Sequence, residues 1–431
     1  MKNGKSRQVR RFEARAQRTT APRSTKFPNV RILRWVCLLA AVLLFGASFR
    51  LWGRATDVSV MQTELAPSDL FDRLPEGFVR MSSDERDPVA IQVRTFVDHY
   101  AKWLATATGS ATELQEEANH RLGMMTAALR TIDPQRFAAS EYRRGTGAAD
   151  LAALSDLLNA ALIPKGWAAS FGVGPVGPNK TVMLIASIAR CRAVKHGSVV
   201  DFHGRSIAYQ SYLVDIEGRV GPIGTEAETR GGTIQLFAEE ARIAGREARE
   251  IFRLVAKGET YTPSDMPWHV LRQLQADYDR LGDSSAFERF VADGVLNDTF
   301  EHELEHVRDV RLQAATRRDD IGRTALGELR AFGEARAALA EMSRGSFPLL
   351  IQGNVGCSWT GLVAGEYRQA AHIVRAVLGQ FDPTTIAETQ LRQRATEGLT
   401  KLDAQYDLLL KHARDPDPVR GMAEELRKTG R

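Results

Sequence analysis

Two histidines four residues apart and a glutamate directly after the first stand in the run Glu301-His302-Glu303-Leu304-Glu305-His306. A helix advances ~100° per residue, so positions i and i+4 share a face. On a helix, His302 and His306 can hold one zinc ion together, and Glu303 can reach a water molecule on that ion. The competing reading is a charged surface helix with two solvated histidines. Glu301, Glu305, Arg308 and Asp309 all add polarity to such a helix.

The flanking residues favour a helix. Asn297-Asp298-Thr299 offers N-cap chemistry just before the apolar Phe300. Phe300, Leu304, Val307, Val310 and Ala314 recur as one apolar stripe, with His302 and His306 on its flank and Glu303 close to it.

A catalytic zinc ion takes three protein ligands and keeps one open position. The continuation HxxGxxH of the metzincins is excluded, because Asp309 stands three residues after His306 and Leu312 six after it. A second helical pattern, Thr324 to Met342, offers Glu328 and Glu334. With Leu326 at 0° and ~100° per residue, its apolar residues Ala331, Phe332, Ala335, Ala338, Leu339 and Met342 fall at about 120–240°. Glu328 falls inside that stripe at about 200°, and Glu334 falls at about 80°, on the polar side with Glu341 and Arg330. An acid in an apolar stripe must be paired or metal-bound. The wheel therefore predicts Glu328 as the third ligand, with a core salt bridge as the bland alternative.

On these residues the chain resembles the gluzincin group of zinc metallopeptidases, in which HExxH lies on one helix and a glutamate ligand on a following one. The resemblance covers about residues 302–342 and lacks the NExxSD form of thermolysin-like members. It implies a zincin-like domain binding Zn2+ through His302, His306 and Glu328. Glu303 would act as general base in hydrolysis of a peptide or protein substrate. It also implies an edge strand for an extended peptide, expected at Thr233–Phe237. The oxyanion donor would be Tyr367 or His372. Asp309 has two readings, a carboxylate that orients the His302 imidazole and, more simply, a surface acid.

The elements that must position these groups are mainly helical. Val93, Phe96, Val97, Tyr100 and Leu104 give a helical repeat within 89–142, with breaks at Gly109-Ser110 and Asp133-Pro134. Thr181–Ile188, Ser198–Phe202, Ile207–Ile216 and Thr233–Phe237 read as strands of a small sheet. Gly172-Val-Gly174-Pro-Val-Gly177 spells GxGxxG, but its prolines and the strand after it mark a turn rather than a phosphate loop. From Leu236 onward the pattern is helical, broken around Gly345–Cys357 and at Asp382-Pro383. The expected class is α+β: a mainly helical domain over about 90–345 with its sheet at 165–240, and a C-terminal helical region from 346.

Charge divides the chain. Residues 1–34 hold eleven Lys and Arg against Glu13, a segment charge of +10 in a chain whose total is +5, so the remainder sums to −5. That balance gives no support for a nucleic-acid-binding domain. Trp35–Phe49 carries no charge, and Ile32–Trp52 gives 21 residues, about enough for a ~30 Å hydrocarbon core. The basic excess before the span predicts a cytoplasmic N-terminus, one transmembrane helix over 35–52, a tether over 53–89 and an extracytoplasmic domain, as on a bacterial inner membrane facing a periplasm. A cleaved signal would leave that domain in the same compartment. Cys191 and Cys357 would there be free to oxidise, although their separation is weak evidence for a bridge. The rival functional reading is a non-catalytic envelope binding or scaffold protein, with a zinc site or an accidental HExxH.

Overall fold

The computed structural model describes residues 74–137, 148–176, 181–201, 203–221, 227–230, 232–258, 266–309, 323–359 and 365–412. The basic tail, the apolar segment 35–52 and the tether as far as residue 73 lie outside them. Among the described residues no helix is long and apolar enough to cross a membrane.

The protein is mostly helical with a small mixed sheet, consistent with the α+β class. Its first helices start where local chemistry supplies caps. Asp87 accepts from the Ala90 amide at 2.9 Å ahead of α1 (Pro88–Thr106), and Pro88 stands at the helix start, where no backbone N–H is needed. Ser110 and Glu113 form a reciprocal capping box ahead of α2 (Ala111–Ile132). These helices and α3 (Ala148–Leu162) bury Val93, Tyr100, Leu122 and Leu158 against Trp167, Phe171 and Ile188 of the sheet.

The sheet contains β1 (Val79–Arg80), β2 (Trp167–Val176), β3 (Thr181–Val200), β4 (Ser206–Val220), β5 (Ala227–Arg230) and β6 (Thr233–Phe237). Its order is β1-β3-β4-β6-β5, with β2 also on β3. Among the described residues only the β4–β6 pairing is parallel, with Leu213 opposite Leu236. Two register shifts, at Ile188/Ala189 and Cys191/Ala193, bend the long β3 against β4.

Several expectations change here. The segments 181–188 and 198–200 belong to one strand, β3. The GxGxxG run lies in β2 as far as Val176, with Pro175 opposite Val182. Among the described residues β2 pairs only with β3, and an edge strand tolerates proline and glycine that a central one does not. Thr233–Phe237 is a strand, as expected, but it lies between β4 and β5 rather than at the edge. The four-residue β5 that covers it is too short to stand out in the sequence. Residues 74–87, assigned to the tether, join the domain: Leu74 and Phe78 pack against a sheet core, and β1 pairs with β3.

The remaining helices are α4 (Ala238–Ala256), α5 (Met266–Leu281), α6 (Ser285–Arg308), α7 (Arg323–Arg344), α8 (Pro348–Gly353), α9 (Gly365–Leu378) and α10 (Glu388–Lys411), with a π-helical turn at Asn354–Trp359. Leu296, Phe300 and Val307 of α6 pack against Leu213, Ile234 and Leu236 of the sheet. The apolar stripe of α7 faces α9 and α10 instead, through Leu339 and Met342 against Val374, Leu391 and Leu402. The region from 346 is therefore not a separate helical unit; it completes the core of α7. Helix α6 lies between the sheet and the polar side of α7. Cys191 and Cys357 are not joined in a disulfide.

Candidate metal centre

Helix α6 starts at Ser285, well before the capping residues expected at Asn297–Thr299. Those residues are mid-helix, and Asp298 acts across space. Its carboxylate accepts from the amides of Ser346 and of Phe347, the latter at 3.0 Å, at the entry to α8. Gly345 makes the approach possible, because a Cβ there would run into Asp298 and the Glu341 carbonyl. Burial, and then the charge of Glu341, push the Asp298 carboxyl up to about 8, against the two amides that hold it down.

One turn further along α6, His302 and His306 project together as their spacing requires. Their Nε2 atoms are 3.3 Å apart. The acid that joins them is Glu334, not Glu328. One Glu334 oxygen lies 3.4 Å from His302 Nε2 and the other 3.8 Å from His306 Nε2. These three residues form the only potential metal-holding group of three or more His, Cys, Asp or Glu among the described residues. Glu328 is half-buried near the start of α7 and outside that group. The two glutamates are six residues apart, about 240° around a helix and ~9 Å along it, so only one can face the histidines. The stripe containing Glu328 is spent on α9 and α10, which leaves the flank carrying Glu334 and Glu341 for the histidines of α6.

Glu341, two turns beyond Glu334, meets the other ring nitrogen of His302, Nδ1, at 3.2 Å. Burial disfavours a charged His302 ring. Hydrogen bonds to Glu334 and Glu341 reverse this and hold its pKa well above the usual histidine range. Burial likewise pushes Glu334 up, but the His302 hydrogen bond and the charges of both histidines bring it below the usual carboxylate range. The side chains of His302, His306 and Glu334 keep 16%, 18% and 20% of their surface exposed, so solvent reaches the cluster.

Glu303, next to His302 in sequence, is buried. Tyr367 of α9 is half-buried, its ring edge-on to Trp359 at 5.2 Å. The charge of Glu334, then burial, then the charges of Glu366 and Glu303 push its phenol pKa up. Tyr367 therefore shares the electrostatic surroundings of Glu334 and Glu303, whereas His372 is exposed further along the same helix.

Asp309 does not serve His302. It is buried at the end of α6 and paired with Arg336 of α7, and burial raises its carboxyl to about 7 despite that partner. Glu341, Asp298 and Arg336 were not singled out as functional residues by the sequence. One signal was available: Glu334 and Glu341 are seven residues apart, which puts two acids on one side of α7. The chain matches no family model, no curated protein and no solved structure.

Proposed function

We propose that this chain is a zinc metallopeptidase anchored by the apolar segment near residues 32–52, acting on a peptide or protein outside the cytoplasm. Its metal ligands would be His302, His306 and Glu334 within a zincin-like arrangement. The spacing of the three donors carries the reading. A tetrahedral zinc ion with bonds of ~2.0–2.1 Å needs ligand atoms ~3.3–3.4 Å apart. Two of the three pairs here meet that spacing, His302 with His306 at 3.3 Å and with Glu334 at 3.4 Å, and the third, His306 to the other Glu334 oxygen, is 3.8 Å. A Glu341 carboxylate on His302 Nδ1 also suits a metal-bound imidazole, because it leaves the Nε2 lone pair toward the ion.

Zinc bound there would lower the pKa of a water molecule toward ~7 and polarise the substrate carbonyl. Glu303 would take the proton from the attacking water and deliver it to the leaving amine. The Tyr367 hydroxyl would donate to the carbonyl oxygen as negative charge develops on it.

A second reading has its own support. His302 has a carboxylate at each ring nitrogen, so a charged imidazole can be satisfied with no metal. The cluster would then be an ion-pair seam in a non-catalytic envelope protein.

Zinc content of the full-length protein, solubilised in detergent and purified without chelator, separates the two. The metallopeptidase reading expects about one zinc per chain, lost in His302→Ala and Glu334→Ala and kept in Glu328→Ala. A zinc-free parent leaves the ion-pair seam. Hydrolysis of a broad peptide library that survives Glu303→Gln would remove Glu303 from the mechanism.

A further inference from the structure

Glu334 and Arg336 leave α7 about 200° apart, yet both return to α6. Glu334 meets the two histidines. Arg336 meets Glu305 at 2.7 Å and Asp309 at the end of the same helix. It also binds one oxygen of Asp403, on α10, at 2.8 and 3.0 Å. The guanidinium is wholly buried and lies 5.3 Å from the Tyr406 ring centroid. Glu305 is held from a second direction by Arg344 at 2.9 Å, and Arg344 also binds Glu301 at 2.7 Å.

A buried cation among carboxylates is a poor source of stability, because desolvation offsets most of the attraction. Replacing a whole buried network by apolar side chains of similar volume is often neutral or stabilising, whereas removing the cation alone would strand the carboxylates of Glu305 and Asp309. What the guanidinium adds is direction: its planar fork fixes the angles at which carboxylates approach. Here it fixes α6 and α10 around the part of α7 that carries Glu334. A rotation of α7 by about 20° would move a side-chain terminus at ~5–6 Å radius by about 2 Å. Metal sites tolerate roughly 0.2 Å. The two grips on α6, from either side of α7, oppose that rotation.

We infer that Arg336 is a positioning residue for the metal centre, setting the rotation of α7 so that Glu334 meets His302 and His306. This rests on the zinc reading above.

The test compares the full-length parent in detergent with Arg336→Lys, which keeps the charge and loses the fork. Leu158→Ala, in the separate core of α1 to α3, serves as a variant that is destabilised elsewhere. Zinc affinity is read by competition with a chelator of known strength, and ligand geometry by the visible absorption of the Co2+-loaded protein. Arg336→Lys should bind zinc about 10–100-fold more weakly and shift the Co2+ bands, while Leu158→Ala changes neither. A folded Arg336→Lys with parental affinity and bands overturns the inference and leaves the zinc reading intact. If Arg336→Lys does not fold, Asp403→Asn replaces it. Asp403 keeps 37% of its side chain exposed at the rim of the cluster. Parental affinity and bands in Asp403→Asn overturn the inference, and several-fold weaker binding supports it. A parent that binds no zinc overturns both readings together.

Discussion

Glu341 stands 3.2 Å from Nδ1 of His302, while Glu334 stands 3.4 Å from Nε2 of the same ring. The two acids are seven residues apart, within about 20° of one another around α7. One side of one helix thus addresses both nitrogens of a histidine on another, and that fixes the ring plane. Zinc on Nε2 would leave Nδ1–H to donate to Glu341.

Glu341→Gln should weaken zinc binding by roughly 10–100-fold with the three ligands unchanged. Chelator competition on the purified protein measures this. Parental affinity would reduce Glu341 to an ordinary buried ion pair.

Tyr367→Phe removes one hydroxyl and leaves the ring against Trp359. If that hydroxyl stabilises the developing oxyanion, kcat should fall about 10²–10³-fold with KM little changed, and zinc content should stay at the parental value. Steady-state kinetics on a peptide found by library screening decide the matter. A change confined to KM would make Tyr367 a binding residue.

Asp298 predicts a pH dependence of stability in the metal-free protein. Its carboxyl is raised from an ordinary 3.8 to about 8, by burial first and by Glu341 second. Between those values the folded chain keeps a proton that the unfolded chain has released. The stabilisation is complete below about pH 4 and is lost as pH climbs toward 8, with a slope of at most about 1.4 kcal/mol per pH unit. Urea unfolding with chelator present, from pH 5 to 8, should show the parent losing stability more steeply than Asp298→Asn. Parallel profiles would mean that Asp298 is already ionised in the folded state.

The candidate site was legible in the sequence where it is local and hidden where it is tertiary. The relation of His302, Glu303 and His306 is fixed by one turn of helix, and the structure brings both histidines to one acid. The choice between Glu328 and Glu334 depended on which side of α7 meets α6. The wheel treated the polar side as the solvent side. In the fold, Ala331 and Phe332 and every residue from Ala335 to Met342 are buried, so the side carrying Glu334 and Glu341 is an interior polar seam. Nothing in a single helix distinguishes such a seam from a wet surface. The breaks at Gly109-Ser110 and Asp133-Pro134 fell as expected because capping and proline chemistry are local. Strand β2 was missed because its glycines and proline are allowed only by its place at the rim of the sheet. Likewise, β6 was placed at the edge because the sequence carried no sign of β5.

The packing of α9 and α10 on α7 also bears on timing. Helix α7 ends at Arg344, yet Asp403 and the apolar residues that cover Leu339 and Met342 are synthesised later. Until they emerge, the growing chain carries Glu334 on a helix with a bare apolar flank and one partner of Arg336 missing. The packing that surrounds Glu334 and Arg336 is therefore incomplete until α9 and α10 have been made.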